Sequence, residues 1–312
     1  MRAEREKAMP KHLVAVLSVL LLALPAAAQS PPEPPRVLLV TAHPDDDALF
    51  SGTVYKVTHG LGGVVDLAVV TNGEGGYKYS LLAEPIYGLK LTDEAVGRAH
   101  LPRIRKQELM AGGAVVGIRG YFFLDQLDSA YSLDMSKIFA GEWNVDFVRQ
   151  RLTEILQKGH YHFVFVLLPT LETHAGHRAS AILALQAVSG LAPKDRPIVL
   201  GGTARIKDRP DPPAFIGLPD QPVTKVRPDA PVYEFDRTQK FGHDNRLDYN
   251  IIANWVIAEH KSQGTMQLLM NLATHERYLY FDLNPEEGLA KARALFDRVA
   301  AAPVHASLSP TP

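Results

Sequence analysis

The sequence predicts an α/β fold built on a mostly parallel, doubly wound sheet with helices on both faces. Short continuous apolar runs, of which RVLLVT at residues 36–41 is the first, are typical of strands buried on both faces. Segments with helical character alternate with these runs, and such alternation implies right-handed crossovers between parallel strands. The predicted architecture is therefore Rossmann-like.

Each strand is predicted from an apolar run that leads into polar or turn-forming residues. The predicted strands are RVLLVT (36–41), VVDLAVVT (64–71), YFFL (121–124), HFVFVLLPT (162–170) and RPIVLGG (196–202). The predicted helices lie at 45–59, 102–116, 145–158, 179–188, 247–261 and 285–300. Carboxylates in the first turn of the first helix suit the positive end of its dipole.

The N-terminal segment, residues 1–28, has the pattern of a cleaved signal peptide. Four basic residues precede an apolar run from Leu13 to Leu24, and small residues follow as far as Ala28. This run is shorter than the roughly 18–20 residues of a membrane span. We expect cleavage near Ala28 and a periplasmic or secreted bacterial protein, with retention of the segment as an anchor as the alternative.

The rest of the chain divides into a spacer, a single domain and a tail. We expect a proline-rich spacer at 29–35, one α/β domain at 36–301 and a flexible tail at 302–312. Within the domain, segments 77–101 and 203–233 interrupt the strand–helix alternation, and we expect both insertions to line a cleft. The chain has no cysteine, so its stability must come from its core.

The composition favours a small-molecule partner. Hydrophobic residues make up 46% of the chain and charged residues 21%, as in an ordinary globular protein. The net charge of −1 gives no indication of a nucleic-acid or anionic-membrane partner. No heptad pattern predicts an oligomer, and after signal cleavage no membrane span is expected.

Two polar motifs follow two of the predicted strands. HPDDD (43–47) follows the first strand, and HAGH (174–177) follows the strand that ends at Thr170. Ligands of such sheets bind at the carboxyl ends of the strands, so both motifs belong to one rim. Taken singly, the aspartates can be helix caps and the histidines can be exposed imidazoles. Together they predict a metal site.

The residues of the two motifs match the parts of an open catalytic metal site. His43, Asp46 and His177 are the predicted ligands, which leaves a fourth position free. Zinc in such a site lowers the pKa of water towards ~7 and polarises a carbonyl group. Asp45 is the predicted general base, and His174, as an imidazolium, would stabilise an oxyanion or protonate a leaving amine. Iron and cobalt are alternatives to zinc for this ligand set.

HPDD followed by HxxH at two strand ends resembles the PIG-L (LmbE-like) family of zinc-dependent N-acetylglucosaminyl deacetylases. The likeness continues over about residues 35–265. Its further motifs are TNGEGG (71–76), RKQELMAGGAVVGI (105–118), FFLDQLD (122–128) and AEHKSQ (258–263). The resemblance implies the same metal ligands, base and charge-stabilising histidine. One departure is Asp47, which stands where the family usually has glutamate.

The resemblance implies removal of an N-acetyl or other N-acyl group from an amino sugar or glycoconjugate. Arg105 and Asp128 are then candidates to contact sugar hydroxyls, with an exposed helix charge and a turn cap as the alternatives. A metal-dependent amidase or esterase acting on a non-sugar exported metabolite is the second hypothesis. A non-catalytic zinc- or carbohydrate-binding module is the third.

Other polar residues receive structural interpretations. We expect Glu108 to be a helix-surface or structural partner, and His260 and Gln263 to be structural. His243 and Asp244 have no matching strand end that would support a metal pair.

Overall fold

A seven-stranded sheet lies at the centre of the computed structural model, which describes residues 33–264 and 272–303. The strands of the chain are β1 (Arg36–Thr41), β2 (Val64–Thr71), β3 (Ile118–Gln126), β4 (Phe163–Leu167), β5 (Ile198–Ile206), β6 (Tyr233–Asp236), β7 (Lys240–Phe241), β8 (Leu247–Asp248) and β9 (Ala273–Tyr280). The sheet order is β3-β2-β1-β4-β5-β9-β6, and β7 pairs only with β8. The first five strands of that order are parallel, and β9 is antiparallel to both of its neighbours. The mostly parallel α/β fold predicted from the sequence is confirmed.

Helices cover both faces of the sheet. They are α1 (Ser51–Tyr55), α2 (Glu84–Tyr87), α3 (Glu94–Val116), α4 (Val145–Gly159), α5 (Ala175–Ser189), α6 (Asn250–Glu259) and α7 (Gly288–Ala301). Alternate residues of β1 enter two separate cores, with Val37 and Leu39 on the side of α3, α6 and α7, and Leu38 and Val40 on the side of α4 and α5. This is why β1 reads as a continuous apolar run.

The described residues from Pro34 onward, 34–264 and 272–303, form one compact unit. The predicted signal peptide lies outside the described residues, as do most of the proline-rich spacer and most of the C-terminal tail. Among the described helices, none is both long and apolar enough to cross a membrane.

Two helices begin earlier than their sequences predict. Helix α3 begins at Glu94, eight residues before Pro102, because the Asp93 side chain caps it by accepting from the Val96 N–H. Pro102 therefore lies inside the helix instead of at its start. Helix α5 begins at Ala175, where His174 takes the capping position through a hydrogen bond from the Gly176 N–H.

The sequence pattern also fails to predict strand β9. Its segment, ATHERYLY, carries a histidine and two charged residues in a row, which is unusual for a strand inside a sheet. Tertiary pairing explains them, since Glu276 is buried in an ion pair and Arg277 pairs with Glu234 at 2.6 Å. Burial of the charge depends on a partner that is distant in sequence.

The Arg237–Glu276 ion pair attaches the C-terminal strands to the helical segment after β1. The carboxylate of Glu276 accepts from the backbone N–H groups of Gly52 (2.7 Å) and Thr53 (2.9 Å), at the start of α1. Arg237 donates to Glu276 at 2.8 Å and to the carbonyl of Ala48, also at 2.8 Å. Both charged side chains are fully buried. The pair thus supplies hydrogen-bond partners for backbone groups at the start of α1 and in the turn before it.

We expect Glu276→Ala to lower the free energy of unfolding by about 3–5 kcal/mol, because it leaves Arg237 buried without its anionic partner. Urea denaturation monitored by circular dichroism measures the change. The matched control is Arg149→Ala, which removes an exposed ion pair with Asp146 and should cost no more than ~1 kcal/mol. Equal losses in the two variants would contradict the assigned role of the buried pair.

Candidate active site

The turn after β1 fixes the carboxylate of Asp46. Its Oδ2 accepts hydrogen bonds from the backbone N–H groups of Ala42 (3.0 Å) and His43 (2.8 Å). A 3-10 helix, Asp46–Phe50, follows at once and holds the turn tightly. The other oxygen, Oδ1, therefore faces away from the backbone and towards the rim of the sheet.

His177 approaches that oxygen from the first turn of α5. Its Nε2 lies 3.0 Å from Asp46 Oδ1, and its Nδ1 lies 2.9 Å from the hydroxyl oxygen of Thr173. A hydrogen bond at one ring nitrogen orients the imidazole so that the other nitrogen is available as a ligand. The His43 ring packs edge-on against His177, with 4.9 Å between ring centroids.

His43, Asp46 and His177 form a group that fits a divalent metal ion. One ligand atom from each residue lies within 4.8 Å of the others. Two imidazoles and one carboxylate are the ligand chemistry of an open zinc-type site. Thr173 bonds His177 and the backbone after β1 bonds Asp46, so two of the predicted ligands are already held in orientation. Within the described residues, His243 and Asp244 join no such group.

The charges around His43 favour a cation at this position. Burial alone would lower the pKa of His43, but Asp128, Asp46 and Asp45 outweigh it and raise that pKa to about 9. Burial would likewise raise the pKa of Asp46, but His177 and His43 hold it well below its ordinary value. Buried carboxylates that gather around a ligand atom are stabilised by a positive charge, whether a proton or a metal carries it.

Arg105 differs from its predicted position. It is only 2% exposed, its Nη2 lies 2.8 Å from Asp45 Oδ2, and its Nη1 donates to the carbonyl of Gly73. A guanidinium enclosed in this way orients Asp45, and it has no free face for a sugar hydroxyl. Arg105, which we expected to contact the substrate, thus binds Asp45, the predicted base.

The TNGEGG motif accounts for that enclosure. Gly73 has φ +71°, and a Cβ atom at this position would lie 2.4 Å from Arg105 Nη1. At Gly75 a Cβ atom would lie 2.8 Å from the Asp128 carbonyl oxygen. The glycines therefore allow Arg105 and Asp128 to approach the end of β2 closely. The sequence indicates that these glycines form a turn. It does not indicate which side chains pack against them.

Asp128 and His174 lie on the other side of His43. Asp128 Oδ1 is 3.8 Å from His43 Nε2, and these two residues form a second possible ligand group with His174. Burial and the neighbouring His43 lower the pKa of His174 to about 4, which favours a neutral imidazole over the imidazolium that we expected. Its Nδ1 accepts from the Gly176 N–H, which places the proton on Nε2, 3.0 Å from the Ala130 carbonyl oxygen.

The remaining motif residues have structural partners. His260 is fully buried, and its Nε2 lies 3.0 Å from Asp47 Oδ1. Glu108 accepts hydrogen bonds from the backbone and the hydroxyl of Ser262, at 2.9 Å and 2.6 Å. These contacts join α3, the HPDDD turn and the AEHKSQ segment. The structural interpretation of Glu108 and His260 agrees with this arrangement.

A cavity of about 350 Å³ opens beside His43. Its walls are formed by His43, by the 127–143 segment after β3 and by the start of α5 at residues 174–176. Among the described residues, insertions 77–101 and 203–233 contribute nothing to this cavity. The first packs Tyr77, Ala83 and Leu91 against α3, and the second packs Val223 and Val226 against the α5 side of the core.

Comparisons with known proteins match the part of the chain that carries these motifs. A family model described as PIG-L, GlcNAc-PI de-N-acetylase, matches residues 38–188, which include every predicted metal ligand. Residues 38–188 therefore form a PIG-L family domain. A curated relative from Bacillus cereus, a probable N-acetyl-α-D-glucosaminyl L-malate deacetylase, is 26% identical over 185 residues, or 59% of this chain and 73% of the relative. The family description and this relative both name a deacetylase, and the chain is an enzyme that hydrolyses N-acetyl amide bonds.

Two solved structures are similar to the chain. N,N′-diacetylchitobiose deacetylase from Pyrococcus horikoshii is 23% identical, with a TM-score of 0.39, and the match covers 53% of this chain and 59% of that one. The deacetylase of the A40926 pseudoaglycone is 15% identical, with a TM-score of 0.49, and the match covers 81% of this chain and 99% of that one.

We expect His177→Ala to abolish stoichiometric metal binding, because it removes the ligand that faces Asp46 Oδ1. Elemental analysis of the purified chain should find about one divalent ion per wild-type molecule and none in the variant. His160→Asn is the control, since His160 is exposed and Asn tolerates its positive φ. Loss of metal in both variants, or in neither, would contradict the ligand assignment.

Gly73→Ala should reduce kcat on the order of 10²-fold, because its methyl group displaces Arg105 and thereby Asp45. Gly62→Ala is a matched control. Gly62 also has positive φ (+61°), but a Cβ atom added there would meet nothing within 4 Å. The control should lose only about 1–2 kcal/mol of stability from left-handed strain and should keep its activity. Steady-state assays and thermal melts on both variants separate the two effects.

Proposed function

We propose that the chain is an exported, zinc-dependent hydrolase that removes an N-acetyl group from an amino sugar or a small glycoconjugate. The observation that carries this proposal is the convergence of His43, Asp46 and His177 within 4.8 Å, with Asp45 beside them on the same turn. A bound divalent metal supplies Lewis acidity towards the attacking water and the amide carbonyl. The signal-peptide pattern of residues 1–28 supports export.

Asp45 is the general base of the proposed reaction. Arg105 binds Asp45 Oδ2, so the other carboxylate oxygen is available to take the proton from the attacking water. The carbon–nitrogen bond then breaks, and the same proton passes to the departing amine. The products are acetate and a free amino sugar, and Asp45 returns to its ionised form.

His174 stabilises the oxyanion in this proposal. Its Nδ1 accepts from the Gly176 N–H, so its one proton is on Nε2, and in the proposed reaction this N–H turns from the Ala130 carbonyl to the oxyanion. The His43 ring lies 4.8 Å away between centroids, which places His174 at the edge of the predicted ligand group.

The sugar specificity of the proposal comes from the relatives and from the cavity. The family description and the Bacillus cereus relative both name N-acetylglucosaminyl substrates. Asp128 lines the cavity beside His43, where its carboxylate can accept hydrogen bonds from sugar hydroxyls.

We expect Asp45→Asn to lower kcat by about 10²–10⁴-fold while zinc content stays unchanged, because the amide cannot accept the proton. The assay is acetate release from N-acetylglucosamine glycosides and from acyclic N-acetyl amides. Asp125→Asn is the control, since Asp125 is exposed and Asn tolerates its left-handed backbone. Wild-type turnover of acyclic amides alone would support the non-sugar amidase hypothesis instead, and full activity of Asp45→Asn would contradict the base assignment.

A further inference from the structure

Tyr131 is exposed in an unusual position. Its side chain is 65% exposed, more than that of any other Phe, Tyr or Trp that the structure describes, yet it lines the cavity beside His43. The ring centroid lies 5.2 Å from that of His174, with 56° between the ring planes. An exposed aromatic face next to the predicted reacting groups is a feature that substrate can use, and core packing does not require it.

The backbone around Tyr131 is held by donors from two helices. From α3, Arg98 donates to the carbonyls of Asp128 (3.0 Å) and Ser129 (2.6 Å). At the start of α5, His174 Nε2 is bonded to the carbonyl of Ala130 at 3.0 Å.

Two further bonds follow on the other side of Tyr131. The Ala175 N–H donates to the carbonyl of Ser132 at 2.7 Å, and Arg178 donates to the carbonyl of Leu133. Carbonyl groups on both sides of Tyr131 are thus fixed to the HAGH motif and to α3. The exposed ring is carried by an ordered segment, so a ligand that packs on it has little backbone motion to restrict.

The surroundings of the ring match the chemistry of a pyranose. Leu127 and Trp143 give the cavity an apolar wall, and Asp128 and Ser129 give it hydrogen-bond acceptors and donors. A pyranose has one face rich in C–H groups, which packs on aromatic rings, and hydroxyl groups around its edge. The cavity volume of about 350 Å³ is at the small end of the ~300–1,000 Å³ range of ligand pockets. It suits one sugar ring better than an extended chain.

We propose that Tyr131 is a specificity-determining residue, an aromatic platform on which the amino-sugar ring packs while its N-acetyl group reaches the His43–Asp46–His177 group. This inference rests on the proposed function and adds to it a substrate class, a single terminal pyranose, and the residue that selects it. Acyclic N-acetyl amides would reach the same reacting groups without using the platform.

The test compares Tyr131→Ala, Tyr131→Phe and Tyr131→Trp on an N-acetylglucosamine glycoside and on an acyclic N-acetyl amide. We expect Tyr131→Ala to raise KM for the sugar on the order of tenfold, which corresponds to ~1.4 kcal/mol of lost ring packing, with kcat nearly unchanged. KM for the acyclic amide should not change. Phe and Trp should restore the sugar KM, because they keep an aromatic face.

Phe147→Ala is the matched control, since Phe147 is 42% exposed on α4 and does not line the cavity. Thermal melts verify that each variant is folded. An unchanged sugar KM in Tyr131→Ala would overturn the proposal, as would an equal rise in KM for both substrates. A Phe variant that behaves like Ala would also overturn it, because the hydroxyl and not the ring face would then be responsible.

Failure of the proposed function would look different. In that case the wild-type chain, loaded with zinc, would release no acetate from any N-acetyl substrate. The platform would then be tested by calorimetric titration of N-acetylglucosamine into the wild-type chain and Tyr131→Ala. Weaker binding by the variant would support the platform, and equal binding or no binding by the wild type would overturn it.

Discussion

The site depends on the two carboxylate oxygens of Asp46 having different partners. Oδ2 is occupied by two backbone N–H groups of the turn after β1, and this leaves Oδ1 directed at His177 Nε2, 3.0 Å away. A carboxylate that caps its own turn cannot rotate without leaving buried N–H groups unsatisfied. The metal-ligand geometry is therefore built into the backbone at the carboxyl end of β1, where the parallel sheet opens its cleft.

Residues outside the 38–188 range of the family match form hydrogen bonds to this turn and to the helical segment after it. Arg237 and Glu276 bind the helical segment after the turn, and His260 binds Asp47. All three side chains are buried, so each polar group depends on a partner from a distant part of the chain. The C-terminal strands and α6 are thus part of the machinery that positions the ligands, although they contribute no predicted ligand.

The charges around His43 are compatible with the proposed base and the proposed metal ligands lying side by side. Asp45, Asp46 and Asp128 place negative charge around one imidazole, and Arg105 compensates Asp45 from the side away from the cavity. His174 stays neutral because burial and His43 both disfavour its charged form. Opposite shifts in the pKa values of two neighbouring histidines are a mark of a functional site.

The sequence by itself determined the alternation of strands and helices in the parallel α/β fold and predicted a ligand set, because apolar runs and the HPDDD and HAGH motifs are local signals at strand ends. It did not predict the early start of α3, strand β9 or the enclosure of Arg105. Each of these depends on a contact between residues far apart in sequence, such as Arg237 with Glu276 and Arg105 with Gly73. Whether a charged side chain faces substrate or the protein interior is decided by what packs around it. Only the tertiary structure supplies that information.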